Sequence, residues 1–174
     1  SLKPDIITMD FEMPVMDGLT ALPILLQQKP SLLVIVASTL TQKGADISLQ
    51  CLEMGAKDYL PKPGTTGLIQ DPKIFQQELI ERIKDLAKNL TKNPVDPTII
   101  TPIVNDQKRQ LPIIQPKAIV IGSSTGGPQA LMQILRKLDA NFKQPIFIAQ
   151  HMPPLFTQSL AKHIEKISGR RTKE

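Results

Sequence analysis

Over residues 1–90 the spacing of apolar positions alternates between strand and helix patterns. Ile6-Ile7-Thr8-Met9 is a short β-rich run. From Gly18 to Gln28, Leu19, Leu22, Leu25 and Leu26 recur at helical spacing, with Pro23 near the first turn. Leu32 to Ala37 is a continuous apolar run, the pattern of a strand buried on both faces. Asp46 to Met54 predicts a helix stopped by Gly55, a residue suited to a left-handed cap. Asp58-Tyr59-Leu60 predicts a short strand ended by Pro61. Asp71-Pro72 then supplies an N-cap and a proline at the first helical position, and Leu79, Ile83, Leu86 and Leu90 form one stripe behind it. The order β-α-β-α-β-α predicts a parallel sheet with helices on its faces.

Residues 117–174 repeat this logic without repeating the sequence. Ala118 to Ile121 and Pro145 to Ala149 predict strands, while Gln129 to Leu138 and Leu155 to Ile167 predict helices. Between the two blocks, Pro94, Pro97, Pro102, Pro112 and Pro116 interrupt any helical period. Proline lacks an N–H and fixes φ, so this stretch predicts an extended linker. The expected architecture is α/β, with two doubly wound parallel-sheet domains joined by a proline-rich linker. The division is 1–90, 91–116 and 117–174.

Composition narrows the classes. The 174 residues are 41% hydrophobic, which excludes a wholly disordered chain. A single cysteine, Cys51, excludes a disulfide scaffold and a Cys-rich zinc site, and fits a reducing compartment. No apolar stretch is long enough to span a bilayer, and no secretory signal opens the chain. The expectation is a cytoplasmic protein without membrane insertion. The net charge of +5 is concentrated in residues 117–174, an asymmetry that can mark a nucleic-acid surface. That segment has only Phe142, Phe147 and Phe156 for stacking, and much of its charge lies in Arg170-Arg171-Thr172-Lys173. A solvated helix face with a frayed end is the preferred reading, with no nucleic-acid partner.

Three successive strand ends offer complementary chemistry. Asp10 follows the first strand, Ser38 and Thr39 the second, and Lys62 the third. Ligand sites in open parallel sheets lie beyond these ends. A lone Asp there is ordinarily a cap or turn residue. With a hydroxyl and a lysine beside it, the carboxylate can act as a phosphoryl acceptor whose product the other two groups bind.

Asp10-Phe11-Glu12-Met13-Pro14-Val15-Met16-Asp17-Gly18, with Tyr59 and Lys62-Pro63, resembles the response-regulator receiver family over about residues 2–90. The resemblance implies Asp10 as phospho-acceptor, Ser38 as switch hydroxyl, Tyr59 as switch aromatic and Lys62 as phosphate-binding lysine. It implies Mg²⁺ held by Asp10 and the backbone carbonyl of Glu12, and a cis Lys62–Pro63 peptide. In the family an acidic pair on an earlier strand completes the Mg²⁺ site. No such pair precedes Asp10 here, so the chain reads as the back part of a receiver, expected to phosphorylate poorly or not at all.

The second block carries Ile121-Gly122-Ser123-Ser124-Thr125-Gly126-Gly127-Pro128 between a strand and a helix. This contains G-x-S-x-G with Ser124 central, in the context of a nucleophile elbow. N–H groups at the helix start can stabilise an oxyanion, and His151 at the next strand end can serve as general base. A Gly-rich loop can equally bind phosphate, and a lone His can be structural. His163, flanked by Lys162, Glu165 and Lys166, reads as part of a solvated face.

This loop, together with Gln150-His151-Met152-Pro153-Pro154-Leu155-Phe156-Thr157, resembles the two leading motifs of the chemotaxis protein-glutamate methylesterase family. That family places a receiver, a linker and a catalytic domain in the order seen here. The resemblance implies Ser124 and His151 as catalytic residues in a Ser-His-Asp hydrolase that needs no cofactor for its ester chemistry. It implies hydrolysis of glutamate methyl esters and deamidation of glutamines on chemoreceptors, relieved from blockage when a chemotaxis histidine kinase phosphorylates the receiver. No Asp lies between His151 and Glu174, so the piece is expected to lack the triad carboxylate and to be inactive alone. The alternatives are a receiver module with a binding output, or an inert fragment.

Overall fold

The structure is a computed structural model that describes residues 3–64, 71–91, 116–139 and 141–174. The expected linker lies outside these residues except at its ends, where Thr91 closes a helix and Pro116 leads into a strand.

The first block forms β1 (Ile6–Asp10), α1 (Gly18–Gln28), β2 (Leu33–Ser38), α2 (Gln42–Glu53), β3 (Asp58–Pro61) and α3 (Pro72–Thr91). Its strands make a parallel sheet in the order β1-β2-β3. Side chains alternate across a strand, so β2 feeds both faces. Val34 and Val36 join the cluster that contains Leu22, Leu49 and Leu52, while Ile35 joins Leu60, Phe75, Leu79, Ile83 and Leu86 on the other side. Helices α1 and α2 therefore cover one face and α3 the other. The stripe on α3 stops at Leu86, because Leu90 is exposed.

Helix starts follow local capping. Asp17 accepts from the Thr20 N–H at 2.8 Å, and Asp71 accepts from Lys73 at 2.8 Å. Helix α2 begins at Gln42, earlier than its apolar period suggests, because Thr41 caps it by accepting from the Gly44 N–H at 3.0 Å. A Cβ at position 44 would strike the Thr39 carbonyl, so the tight entry requires glycine. Pro23 sits in the interior of α1 rather than in its first turn. The expected cis Lys62–Pro63 bond is trans, the ordinary preference even at proline.

The second block forms β4 (Ile119–Ser123), α4 (Gly127–Arg136), β5 (Ile146–Gln150) and α5 (Pro154–Ser168). The two strands are parallel, and their register pairs Ser123 with Gln150. Ile121, Ile146 and Ile148 pack inward, while Val120 (76% exposed) and Phe147 (59%) lie on the opposite face. The basic end of the chain is not frayed. Arg170 donates to the Phe142 carbonyl at 2.6 Å and the Gln144 carbonyl at 3.3 Å, and stacks over the Phe142 ring.

The two blocks share one apolar core. Ile47, Leu49, Cys51 and Leu52 of α2 belong to the same cluster as Leu131, Met132, Leu135, Phe156, Leu160 and Ile164 of α4 and α5. Tyr59 of β3 stacks on Phe156, with ring centroids 4.5 Å apart and an interplanar angle of 11°. Gln42 donates to Ser159, and Glu53 pairs with Arg136. His163 contradicts the solvated-face reading: its side chain is 13% exposed and its Nε2 lies 3.2 Å from Glu53. Lys162 and Lys166 border the same groove against α2, but their flexible stems reach solvent while the His163 ring is held in the contact with Glu53.

Candidate active site

Asp10 closes β1, and its carboxylate is gripped from two sides. Lys62 Nζ lies 2.5 Å from Oδ2, and the Glu12 N–H donates to Oδ1 at 2.9 Å. Partial burial works against the charge, but Lys62 and the Glu12 and Phe11 N–H groups outweigh it, so the carboxyl is held below its ordinary range. The loop beyond it carries Val15 at φ +73°, a left-handed backbone that a β-branched residue rarely adopts.

The other two receiver-like residues are placed elsewhere. Ser38 is buried and shares a 2.7 Å hydrogen bond with Ser48, which in turn donates to the Gly44 carbonyl at 2.8 Å. Tyr59 faces the shared core, where burial pushes its phenol well above the ordinary value. The structure thus brings Asp10 and Lys62 together and leaves Ser38 and Tyr59 engaged with other groups. For Mg²⁺, Asp10 and the Glu12 carbonyl are two protein oxygens, and Lys62 already occupies one carboxylate oxygen. Among the described residues no three acidic, His or Cys groups cluster as a metal site. An octahedral cation needs more oxygens than this, so the donors present do not make its site.

One ionic contact, at the start of β3, has no counterpart in the sequence reading. Arg82 of α3 reaches across to Asp58 at 2.7 Å and lies over the Tyr59 ring. Burial raises the Asp58 carboxyl even though Arg82 and the Tyr59 N–H favour its charge. Asp58 is almost wholly buried, and its carboxylate is paired with the Arg82 guanidinium.

In the second block the register brings the candidate nucleophile and base together. Pairing Ser123 with Gln150 places the next residues, Ser124 and His151, side by side at the strand ends. The His151 N–H donates to the Ser123 carbonyl at 3.0 Å. Ser124 Oγ lies 3.5 Å from His151 Nδ1, the outer limit of a hydrogen bond and the looseness common before substrate binds. To accept the serine proton at Nδ1, the neutral ring carries its own proton on Nε2. Among the described residues no carboxylate bonds this imidazole; Asp139, the aspartate that precedes His151 in the sequence, accepts from the Asn141 N–H at 2.7 Å.

The expected oxyanion donors at the helix start are only partly there. Gly127 donates its N–H to the Ser124 carbonyl at 2.8 Å, and Pro128 has none. The Thr125 N–H, on the residue after the serine, is the donor position an elbow uses. Gly126, at φ +74°, makes the turn into α4. Ser124, Thr125, Gly126 and Gln129 line a cavity of about 490 Å³ whose other wall is Lys57, Asp85 and Leu86 of the first block. Sequence reasoning passed over Gln150, whose side chain contacts both neighbours of this site; its strand register was the available signal.

Comparison with known proteins agrees with both halves. The response regulator receiver domain model matches residues 1–72, and the CheB methylesterase model matches residues 119–174. The chain is 42% identical to the protein-glutamate methylesterase/protein-glutamine glutaminase of Azospirillum brasilense, across 98% of this chain and 48% of that protein. It is 44% identical to protein-glutamate methylesterase/protein-glutamine glutaminase 1 of Paramagnetospirillum magneticum, across 98% of this chain and 50% of that protein. Among solved structures, the Thermotoga maritima CheB methylesterase catalytic domain is 49% identical over 35% of this chain and 32% of its own, with a TM-score of 0.32. The chain spans about half the length of the curated relatives it matches. The chain thus carries a receiver match followed by a methylesterase match, and along nearly every residue it is similar to receiver-linked protein-glutamate methylesterases.

Proposed function

We propose that this segment, within a chain of its relatives' length, hydrolyses glutamate methyl esters and deamidates glutamines on chemoreceptors, under receiver control. The observation that carries the reading is Ser124 beside His151 at 3.5 Å, at adjacent parallel strand ends and opening a helix. Ser124 Oγ attacks the side-chain carbonyl while His151 takes its proton. The oxyanion meets the Thr125 N–H. His151 gives the proton to the departing methoxide oxygen, which leaves as methanol, or to the departing amide nitrogen, which leaves as ammonia; water, deprotonated by the same imidazole, then cleaves the acyl–Ser124 bond and the proton returns to Oγ.

In this reading residues 1–90 are the receiver portion, 91–116 the linker and 117–174 the catalytic portion. Asp10 is the phospho-acceptor, Lys62 binds the phosphoryl oxygens, and Ser38 and Tyr59 are the switch pair. Receivers as a class use Mg²⁺ for this step. A chemotaxis histidine kinase and methylated receptors are the partners, and the cytoplasm is the setting. The first-block wall opposite Ser124 supports control by blockage. The test measures methanol release from methylated receptor by the full-length form, with Ser124→Ala beside it. Release that survives Ser124→Ala would sink the assignment.

A further inference from the structure

Gln150 stands opposite Ser123 in the strand register, and its amide makes three hydrogen bonds. Its Oε1 accepts from Ser123 Oγ at 2.6 Å. Its Nε2 donates to the Ser124 carbonyl at 3.0 Å and to the His151 carbonyl at 3.3 Å. Exchanging the amide O and N would set an oxygen against two carbonyl oxygens, so the contacts fix its orientation. Gly127 makes the room. A Cβ there would strike Gln150 Oε1 and the Ser123 side chain.

We infer that Gln150 is a positioning residue that ties the Ser124 and His151 backbones together so that hydroxyl and imidazole stay within reach. The inference rests on the hydrolase reading of this pair. The side chain bonds to carbonyls of both residues and to neither reacting group, so it acts through placement. A misplacement of about 1 Å at a reacting pair costs on the order of 10²-fold in rate.

The test uses the full-length form and compares Gln150→Glu, Gln150→Met and Ser123→Ala. Gln150→Glu keeps the shape and the acceptor facing Ser123 but removes both donors. Two readouts are taken per folded site: kcat and KM for methanol release, and the rate at which a fluorophosphonate labels Ser124. Expected for Gln150→Glu is a kcat lower by about 10- to 100-fold with KM within about twofold, and labelling slowed in parallel. Gln150→Met should match or exceed it, and Ser123→Ala, which frees the amide to rotate, should lose less.

Unchanged kcat and labelling in Gln150→Glu, or a loss explained wholly by fewer folded sites, would overturn the inference. Should both Gln150 variants fail to fold, Ser123→Ala decides, and an unchanged labelling rate there overturns it. A wild type that releases no methanol but labels at Ser124 removes the methylesterase reading alone, since labelling still reads the positioning. A wild type that does not label overturns both.

Discussion

Asp10 closes a parallel strand and Ser124 directly follows one, yet opposite means hold them in place. Asp10 is fixed by charge, with Lys62 on one oxygen and the Glu12 N–H on the other. Ser124 and His151 carry no charged partner among the described residues. Strand register, a backbone bond from His151 to Ser123 and the Gln150 amide fix them instead. The difference suits the chemistry each is proposed to perform. A phospho-acceptor must be anionic, and a cation beside it favours that charge and fixes the carboxylate in place. A neutral hydroxyl gains nothing from a fixed charge at rest and depends on distance to its base.

The largest break in this comparison is Ser124→Ala. Removing the nucleophile should lower methanol release by the full-length form by about 10⁴-fold or more, measured per folded site. A loss of tenfold or less would mean that Ser124 is not the nucleophile.

Next comes Arg82→Ala. It leaves Asp58 buried without its cation, which should cost about 3–5 kcal/mol in denaturant unfolding at neutral pH. Because burial raises the folded-state carboxyl, the folded protein holds this proton more tightly than the unfolded chain. The destabilisation should therefore shrink as acid protonates Asp58. A pH-independent loss would show that Arg82 acts through its packing on Tyr59 alone.

Lys62→Met probes the charged site directly. The Asp10 carboxyl should rise toward its ordinary value of 3.8, followed by carbon NMR of the side chain. In the wild type the pairing contributes stability above the unfolded carboxyl's titration, and that contribution is lost as pH falls through the depressed folded value. A titration that does not move would assign the depression to the Glu12 and Phe11 N–H groups. The smallest effect is expected from Val15→Gly. Relief of the left-handed valine should outweigh the added freedom of the unfolded chain by about 0.5–1 kcal/mol, read from the thermal midpoint.

Period and punctuation made the elements legible, since strand alternation and helix stripes are local. Asp71-Pro72 announced its helix because capping is local too. Contacts between elements were not legible. Nothing near His163 in the sequence points to Glu53, and nothing near Asp58 points to Arg82. The motifs named Ser124 and His151, but Gln150 is recognised only once the register sets it opposite Ser123. Ser38 was placed at the correct strand end, while its bond to Ser48 depends on how α2 packs beneath it.

Helix α2 is buried from both sides, and β3 offers Tyr59 to a ring on α5. Two blocks that share a helix in this way are not interchangeable parts. Grafting a different receiver onto the second block would leave Phe156, Leu160 and the partners of Glu53 facing a surface shaped for something else. Recombination across the proline-rich junction should yield folded hybrids only when the α2 face travels with its α4–α5 counterpart, so the inheritable unit is larger than either motif.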